Sequence, residues 1–322
     1  MDQTRLTPSV DLDGLSPEEA FSVLGDETRL AIVRVLWEAG AAREYDDVDD
    51  SEGTMTFSDL RRAVDLKDNG RFNYHLTKLR PHFVRQTEDG YRLSGAGKKI
   101  ARTVVAISGG PASEFTTDLD LACPICGAPV AAAYEDQWLR YRCTECEGLF
   151  GDAAPEGAIM NTAFPAAGIA GRDPREALTV SLYRCIMDLT YLLQGVCREC
   201  AGDVAGSVSI CEDHDTGDGG VCDACGAPFP VWAELQCETC RFGKHLPIEF
   251  CVMGVPTVVG HLAEGSVDVL PPSIEDMVEV VGSRIETTVD RDPLRVIVTV
   301  RGGTETVSVT FDEAATPVEV AY

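Results

Sequence analysis

The residues best suited to chemistry in this sequence are its cysteines, of which there are thirteen among 322 residues. Four of them form two Cys-x2-Cys pairs on either side of a stretch that can fold as a hairpin. These four are Cys123, Cys126, Cys143 and Cys146. The two thiolates of such a pair point at one ion, so two pairs complete a tetrahedral shell of four sulfur ligands. The spacing therefore predicts a zinc site.

Two further ligand sets follow along the chain. One repeats the first set, including the letters CGAP at its first pair, and consists of Cys222, Cys225, Cys237 and Cys240. The other offers three sulfurs and one imidazole, which zinc accepts equally well, and consists of Cys197, Cys200, Cys211 and His214. We expect up to three zinc ions. Only residues 215 to 221 separate the last two sets, so ligands could be exchanged between them, with His245 as a spare ligand.

The expected role of these sites is structural. Each set closes at four protein ligands, whereas a catalytic zinc keeps one position open for water. All three sets resemble zinc ribbons or knuckles. Iron–sulfur clusters and redox-active Cys-x2-Cys pairs are the alternatives, and the histidine, the hairpins and the lack of a thioredoxin-like βαβ pattern favour zinc. Cys185 and Cys251 are left over, and we expect both to be buried as small apolar residues.

The overall charge excludes general binding to polyanions. Acidic residues outnumber basic ones by 53 to 27, the formal net charge is −26 and the pI is about 4.4. A phosphate lattice would be repelled by most of such a surface. Only five of the basic residues are lysines, and this composition resembles that of proteins adapted to molar intracellular salt.

One segment departs from this acidity. Eleven basic and four acidic residues lie between Arg61 and Arg102, so this segment carries +7 and the remaining residues total −33. The elements predicted from residue 16 onward are four helices, a β-hairpin turning at residues 88–90, and a closing helix. The third and fourth helices are short and separated by a tight turn, which is typical of a helix-turn-helix. The basic segment therefore coincides with a motif that often meets DNA.

The fourth helix has two distinct faces. Helical spacing places an apolar stripe on its inner side, formed by Phe72, Leu76, Leu79 and Phe83. The same spacing points four polar residues outward, namely Arg71, Tyr74, Thr77 and Lys78, and leaves Asn73 and His75 on the flanks. We expect His75 to be a packing residue.

Three stretches carry a closer resemblance: "VLGDETRLAIVRVL", "FNYHLTKL" and "GYRLSGAGKKI" resemble the ArsR-type winged helix-turn-helix transcription regulators over residues 16 to 107. The resemblance implies that the fourth helix enters the major groove of double-stranded DNA, with Asn73 and Tyr74 at matching positions and Arg71, Thr77 and Lys78 beside them. It also implies a homodimer formed through flanking helices.

Two features depart from that family. Many of its members sense metals through cysteines in the winged domain, but the first cysteine here is Cys123. The predicted wing tip is acidic, which leaves Arg85 and Arg92 on the hairpin arms as the expected phosphate ligands. The acidic stretch at 44–52 is expected to be a solvated loop that faces away from DNA.

The predicted fold class is α+β with several domains. The winged helix-turn-helix at 16–107 precedes a zinc ribbon at 118–151, a buried helix at 172–196, two further zinc modules at 197–245 and a C-terminal helix with a small antiparallel sheet at 250–322. Residues 151–171 read as a small-residue connector, and 278–289 as a strand. A secretory signal is not expected, because the N-terminal residues lack a basic stretch followed by an apolar core. A membrane span is not expected either, because the longest nearly apolar run, 250–263, is too short. We expect a soluble, cytoplasmic protein.

The sequence favours a regulator over an enzyme. It offers no Gly-rich phosphate loop, nucleophile constellation or paired-carboxylate site. The leading hypothesis is a dimeric, sequence-specific DNA-binding regulator whose zinc modules and C-terminal sheet bind an effector, a partner or the second subunit. One alternative is a general factor resembling archaeal transcription initiation factor E, whose partner is RNA polymerase. The other is a thiol-based redox or metal sensor, which requires one labile cysteine set.

Overall fold

The computed structural model describes residues 16–40, 54–80, 82–108, 114–217, 220–265, 267, 269–270, 272 and 274–322. The chain divides into two compact units, residues 1–109 and 110–322. The acidic stretch predicted as a loop at 44–52 and the first fifteen residues lie outside the described part.

Unit 1 contains its elements in the predicted order. They are α1 (Pro17–Leu24), α2 (Glu27–Glu38), α3 (Phe57–Ala63), α4 (Asn69–Leu79), the hairpin strands β1 (Val84–Gln86) and β2 (Tyr91–Leu93), and α5 (Gly95–Ser108). The first four helices begin at side-chain caps, in which Ser16, Asp26, Thr56 and Asp68 accept hydrogen bonds from backbone N–H groups of the first turn. Such caps satisfy donors that a helix start leaves unpaired.

The core of unit 1 explains the two faces of α4. Phe72, Leu76 and Leu79 are fully buried against α2 and α3 residues such as Ile32 and Leu60. The predicted inner stripe is confirmed for these three residues, whereas Phe83 is buried in the same core but lies beyond the end of α4, directly before β1. His75 is also buried, as expected of a packing residue, and its Nδ1 lies 3.2 Å from Oδ1 of Asp26, the cap of α2.

The start of α5 is held tightly against the hairpin. Ser94 Oγ donates to the carbonyl of His82 and accepts from the N–H of Gly97. A Cβ atom added at Gly97 would lie 2.1 Å from the carbonyl oxygen of Phe83, whereas one added at Gly95 would meet nothing within 4 Å.

This contrast gives a first prediction. Gly97→Ala should lower the free energy of unfolding of unit 1 by about 1–3 kcal/mol, because the clash forces a backbone shift. Gly95→Ala, two residues away in the same helical turn, should be neutral or stabilising by less than about 1 kcal/mol. Chemical denaturation of both variants measures the difference. Equal stabilities would contradict the close approach at Gly97.

Unit 2 begins with a four-stranded antiparallel sheet in sequential order: β3 (Phe115–Ala122), β4 (Pro129–Glu135), β5 (Trp138–Cys143) and β6 (Ala158–Ala163). The prediction of a connector over 151–171 is wrong for β6, which pairs along β5 from Trp138↔Ala163 to Arg142↔Ala158. Its small side chains give a weak strand signal, and its conformation is set by the edge of β5. The short helix α6 (Ala166–Ile169) follows.

The long helix α7 (Pro174–Leu193) links the two cores of unit 2. It begins with a capping box of Asp173 and Glu176, and Gly195 follows its end with φ of 74°. Its first half, through Leu178, packs into the core of the first sheet, and its second half, through Ile186 and Leu189, packs into the C-terminal core. The prediction that this helix is buried is confirmed for these residues.

A second, three-stranded sheet follows α7. Its strands are β7 (Val204–Ile210), β8 (Val231–Cys237) and β9 (Gly243–Pro247), all antiparallel. Two short helices, α8 (Ile248–Cys251) and α9 (Pro256–Glu264), come next, and α9 is followed by Gly265 as its C-cap.

The C-terminal sheet contains four antiparallel strands: β10 (Ile285–Arg291), β11 (Leu294–Gly302), β12 (Glu305–Phe311) and β13 (Pro317–Ala321). The predicted strand over 278–289 is correct only from Ile285. The preceding residues form α10 (Ile274–Glu279) and one π-helical turn, because burial of Met277 and Val280, three residues apart, favours a helix despite the β-branched sequence. No helix in the described ranges has the length and apolarity needed to cross a membrane.

Candidate metal centres and the exposed face of α4

All twelve predicted metal-ligand residues come together in three clusters within unit 2. The first is the predicted set of Cys123, Cys126, Cys143 and Cys146. The second consists of Cys197, Cys200, Cys237 and Cys240, and the third of Cys211, His214, Cys222 and Cys225. In each cluster the four ligand atoms lie within 4.8 Å of one another. His245, the spare candidate, belongs to none of them.

The predicted grouping of the last eight ligands is therefore wrong. The sequence repeat suggested that ligand pairs adjacent in the sequence share one metal ion. In the structure the first pair joins the last pair, and the two middle pairs form the other cluster, so along the chain the third cluster is nested within the second. In the hairpin of β7 and β8, Val204 pairs with Cys237 at one end and Ile210 with Val231 at the other. Ligands before β7 thus meet ligands after β8, and the loop between the strands closes on itself to form the third cluster.

Distances within the clusters suit a tetrahedral metal ion. The Sγ atoms of Cys126 and Cys143 are 3.5 Å apart, as are those of Cys200 and Cys237. In the third cluster, Nδ1 of His214 lies 3.5 Å from Sγ of Cys225. A tetrahedron with metal–sulfur bonds of about 2.3 Å has edges of about 3.8 Å. The donor set and its spacing are therefore compatible with zinc.

The backbone around each cluster is arranged for thiolates. In the second cluster, the N–H groups of Glu199 and Cys240 point at the sulfurs of Cys197 and Cys237, at 3.3 and 3.5 Å. The backbone hydrogen bond from Cys240 lowers the pKa of Cys237 to about 6. Burial and neighbouring thiols raise the pKa of Cys240 to about 12. Two thiolates at the 3.5 Å distance of Cys200 and Cys237 repel each other, and a bound cation would neutralise that repulsion.

The two remaining cysteines lie apart from the clusters. Cys251 is fully buried, as predicted, and burial raises the pKa of its thiol. Cys185 is only partly buried, and its sulfur lies 3.7 Å from Nζ of Lys244. The prediction that Cys185 is buried is thus met only in part.

An ion network that the sequence did not reveal fixes the second cluster to α7. Asp188 is 4% exposed, and its Oδ2 lies 3.2 Å from Nζ of Lys244 on β9. Its Oδ1 lies 3.0 Å from Nε of Arg198, without the alignment of a hydrogen bond. Arg198 stands between two ligands of the second cluster and also pairs with the exposed Glu199 at 3.0 Å. The sequence feature that could have indicated this network is Asp188 itself, an acidic residue among the apolar residues of α7.

Neutralising the buried acid gives a second prediction. Asp188→Asn should lower the free energy of unfolding of the metal-loaded protein by about 2–3 kcal/mol, because two cations lose their buried counterion yet keep partial access to water. Glu199→Gln, which removes the exposed carboxylate of the same network, should change it by less than about 0.5 kcal/mol. Urea denaturation of both variants tests this. Similar losses in the two would contradict a special role for Asp188.

In unit 1, the exposed side of α4 carries the predicted outward residues. Arg71, Asn73, Tyr74, Thr77 and Lys78 are all exposed, and Tyr74 is 58% exposed despite its size. Nζ of Lys78 lies 6.0 Å from the centre of the Tyr74 ring. The face thus combines donors, two cations and one aromatic ring.

The hairpin adds a second basic feature. Arg85 and Arg92 are directly opposite each other across the β1–β2 pair, so their side chains share one face. Like charges at such positions destabilise a hairpin. This face of the hairpin therefore carries two basic side chains.

Comparison with known protein families separates the same two parts of the chain. A family model described as a domain of unknown function (DUF7347) matches residues 17–104, and another, described as a domain of unknown function (DUF7351), matches residues 120–316. Searches of curated proteins and of solved structures gave no match. Because the second model matches more than half of the chain, the protein belongs to the DUF7351 family.

Proposed function

We propose that the protein is a sequence-specific, DNA-binding transcription regulator of winged helix-turn-helix type, and not an enzyme. The observation that carries this proposal is the exposed face of α4, where Arg71, Asn73, Tyr74 and Lys78 stand on a helix whose other side is anchored in the core. A rigid helix with such donors can enter a major groove and contact base edges. The order of α1 to α4, β1–β2 and α5 supports the same reading.

Because the protein as a whole is strongly acidic, binding to DNA requires a local surface that is not acidic. At molar salt the Debye length is only about 3 Å, so long-range attraction to phosphate is nearly lost. Close contacts must then supply the affinity. Base contacts from α4, together with one phosphate held by Arg85 and Arg92, meet that requirement without a broad basic surface.

We further propose a homodimer that contacts itself through unit 1. Exposed apolar side chains on α1 and α5 support this, above all Phe21, Val105 and Ile107, which are at least half exposed. Both helices pack against α2. A dimer doubles the number of base contacts and predicts a DNA site with two-fold symmetry.

In unit 2 we propose three structural zinc ions. Each cluster closes with four protein ligands, and the first two consist of sulfur alone. Zinc would hold the ends of short hairpins that bury few side chains of their own. Free thiolates need a reducing compartment, so we expect the protein in the cytoplasm.

Selection of bound fragments from a random DNA pool, in molar potassium chloride, tests the function. Enrichment of one motif with two-fold symmetry is the expected result. Chromatin immunoprecipitation from cells should then give a limited set of sharp peaks containing this motif. Signal that follows RNA polymerase over most promoters would instead support a general transcription factor. Absence of enrichment in both experiments would overturn DNA recognition.

A further inference from the structure

Unit 2 contains a cavity of about 220 Å³ that the metal clusters leave unused. One wall is a stripe on α7 formed by Leu178, Leu182, Ile186 and Leu189. These residues span the point at which α7 leaves the core of the first sheet and enters the C-terminal core. The cavity thus lies between the core of the first sheet and the C-terminal core, and residues of both cores line it.

The opposite wall is also apolar. It includes Ile159 of β6, Leu246 of β9, and Phe250 and Met253 from the segment after β9. The aromatic ring of Phe250 is part of a cluster with Phe150 and Phe229. Apolar walls with a few polar groups are typical of small-molecule sites.

Two basic side chains line this cavity, and the carboxylate of Asp188 lies beside one of them, 3.2 Å from Nζ of Lys244. Lys244 and His245 line it, whereas none of its lining residues is an aspartate or glutamate, in a chain where acids outnumber bases almost two to one. An ammonium group has three N–H donors. Nζ of Lys244 uses one toward Asp188 and approaches the Cys185 sulfur with another, so a third donor is left for an acceptor in the cavity.

We propose that this cavity binds a small hydrophobic carboxylate. The apolar body lies along the α7 stripe, and the carboxylate accepts a hydrogen bond from Lys244 near His245. A cavity of about 150 Å³ lined by such residues holds benzene, so 220 Å³ suits a body of two fused rings or a comparable branched chain. This inference concerns unit 2 alone and does not rest on DNA recognition by unit 1.

Isothermal titration of the full-length, metal-loaded protein tests the proposal with two probes of equal shape, 2-naphthoate and 2-naphthamide. The wild-type protein should bind the acid at least about tenfold more tightly than the neutral amide, because a charge-assisted hydrogen bond is stronger than a neutral one. Lys244→Met should remove this preference by weakening only the acid. Molar salt should weaken the contact little, since a partly buried pair is poorly screened.

Two substitutions on α7 provide the matched comparison. Leu182→Trp places a larger ring in the cavity and should abolish binding of both probes, and Leu182 is only partly buried, so the helix should tolerate it. Tyr183→Trp, at the next and exposed position, should leave both affinities unchanged. Equal affinity for acid and amide in the wild-type protein would overturn the proposed ligand class. Unaltered binding in Leu182→Trp, or no binding by the wild-type protein, would overturn the site.

Discussion

Replacing Arg71 and Tyr74 together by alanine is expected to lower affinity for the selected DNA motif at least about 100-fold, since each base contact contributes on the order of 1–3 kcal/mol. Both side chains are exposed on α4 and lie outside its core stripe, so the variant should fold normally. Fluorescence anisotropy with the labelled motif measures the loss, and circular dichroism with thermal unfolding verifies the fold.

The matched control removes the same residue types elsewhere. Arg142 and Tyr191 are exposed in unit 2, and Arg142→Ala with Tyr191→Ala should leave DNA affinity unchanged. If the α4 variant binds the motif as well as the wild-type protein does, α4 is not the recognition helix. If the variant loses as much affinity for unrelated DNA as for the motif, Arg71 and Tyr74 contact the phosphate backbone of the DNA and not the base edges.

Local sequence signals predicted unit 1 well for a physical reason. The caps of its helices and the spacing of Phe72, Leu76 and Leu79 act within a few residues, so each is legible without knowing the tertiary fold. The exposure of Tyr74 follows from the same periodicity. What these signals do not contain is the cavity of unit 2, because it arises where two separately formed cores meet along α7.

Long-range pairing limited the prediction of unit 2. The repeated letters CGAP at Cys126 and Cys225 suggested equivalent sites, yet Cys126 joins a later pair and Cys225 an earlier one. The decisive signal was the hairpin: strands that pair over 204–210 and 231–237 necessarily bring together the residues outside them. A strand assignment made before the ligand pairing would have given the nested order.

The nested order has a direct chemical consequence. Replacing Cys237 and Cys240 together by serine should reduce bound zinc from three ions per chain to two, measured by elemental mass spectrometry. The lost site contributes on the order of 10 kcal/mol to folding, comparable with the stability of a whole domain, so the β7–β9 sheet should lose its order. The third cluster should keep its ion, because its four ligands lie within one local segment, 211–225.

Alkylation of the native variant by iodoacetamide, read by peptide mass spectrometry, distinguishes the two groupings. Nested clusters predict that Cys197 and Cys200 become reactive in Cys237→Ser with Cys240→Ser, while Cys222 and Cys225 stay protected. The grouping expected from the sequence, in which Cys222 and Cys225 share an ion with Cys237 and Cys240, predicts instead that Cys222 and Cys225 become reactive while Cys197 and Cys200 stay protected. The reciprocal variant, Cys222→Ser with Cys225→Ser, should expose Cys211 and leave Cys197 protected. Three zinc ions retained in either variant would exclude these residues as ligands, since a tetrahedral site that loses two of its four sulfurs no longer holds its metal at neutral pH.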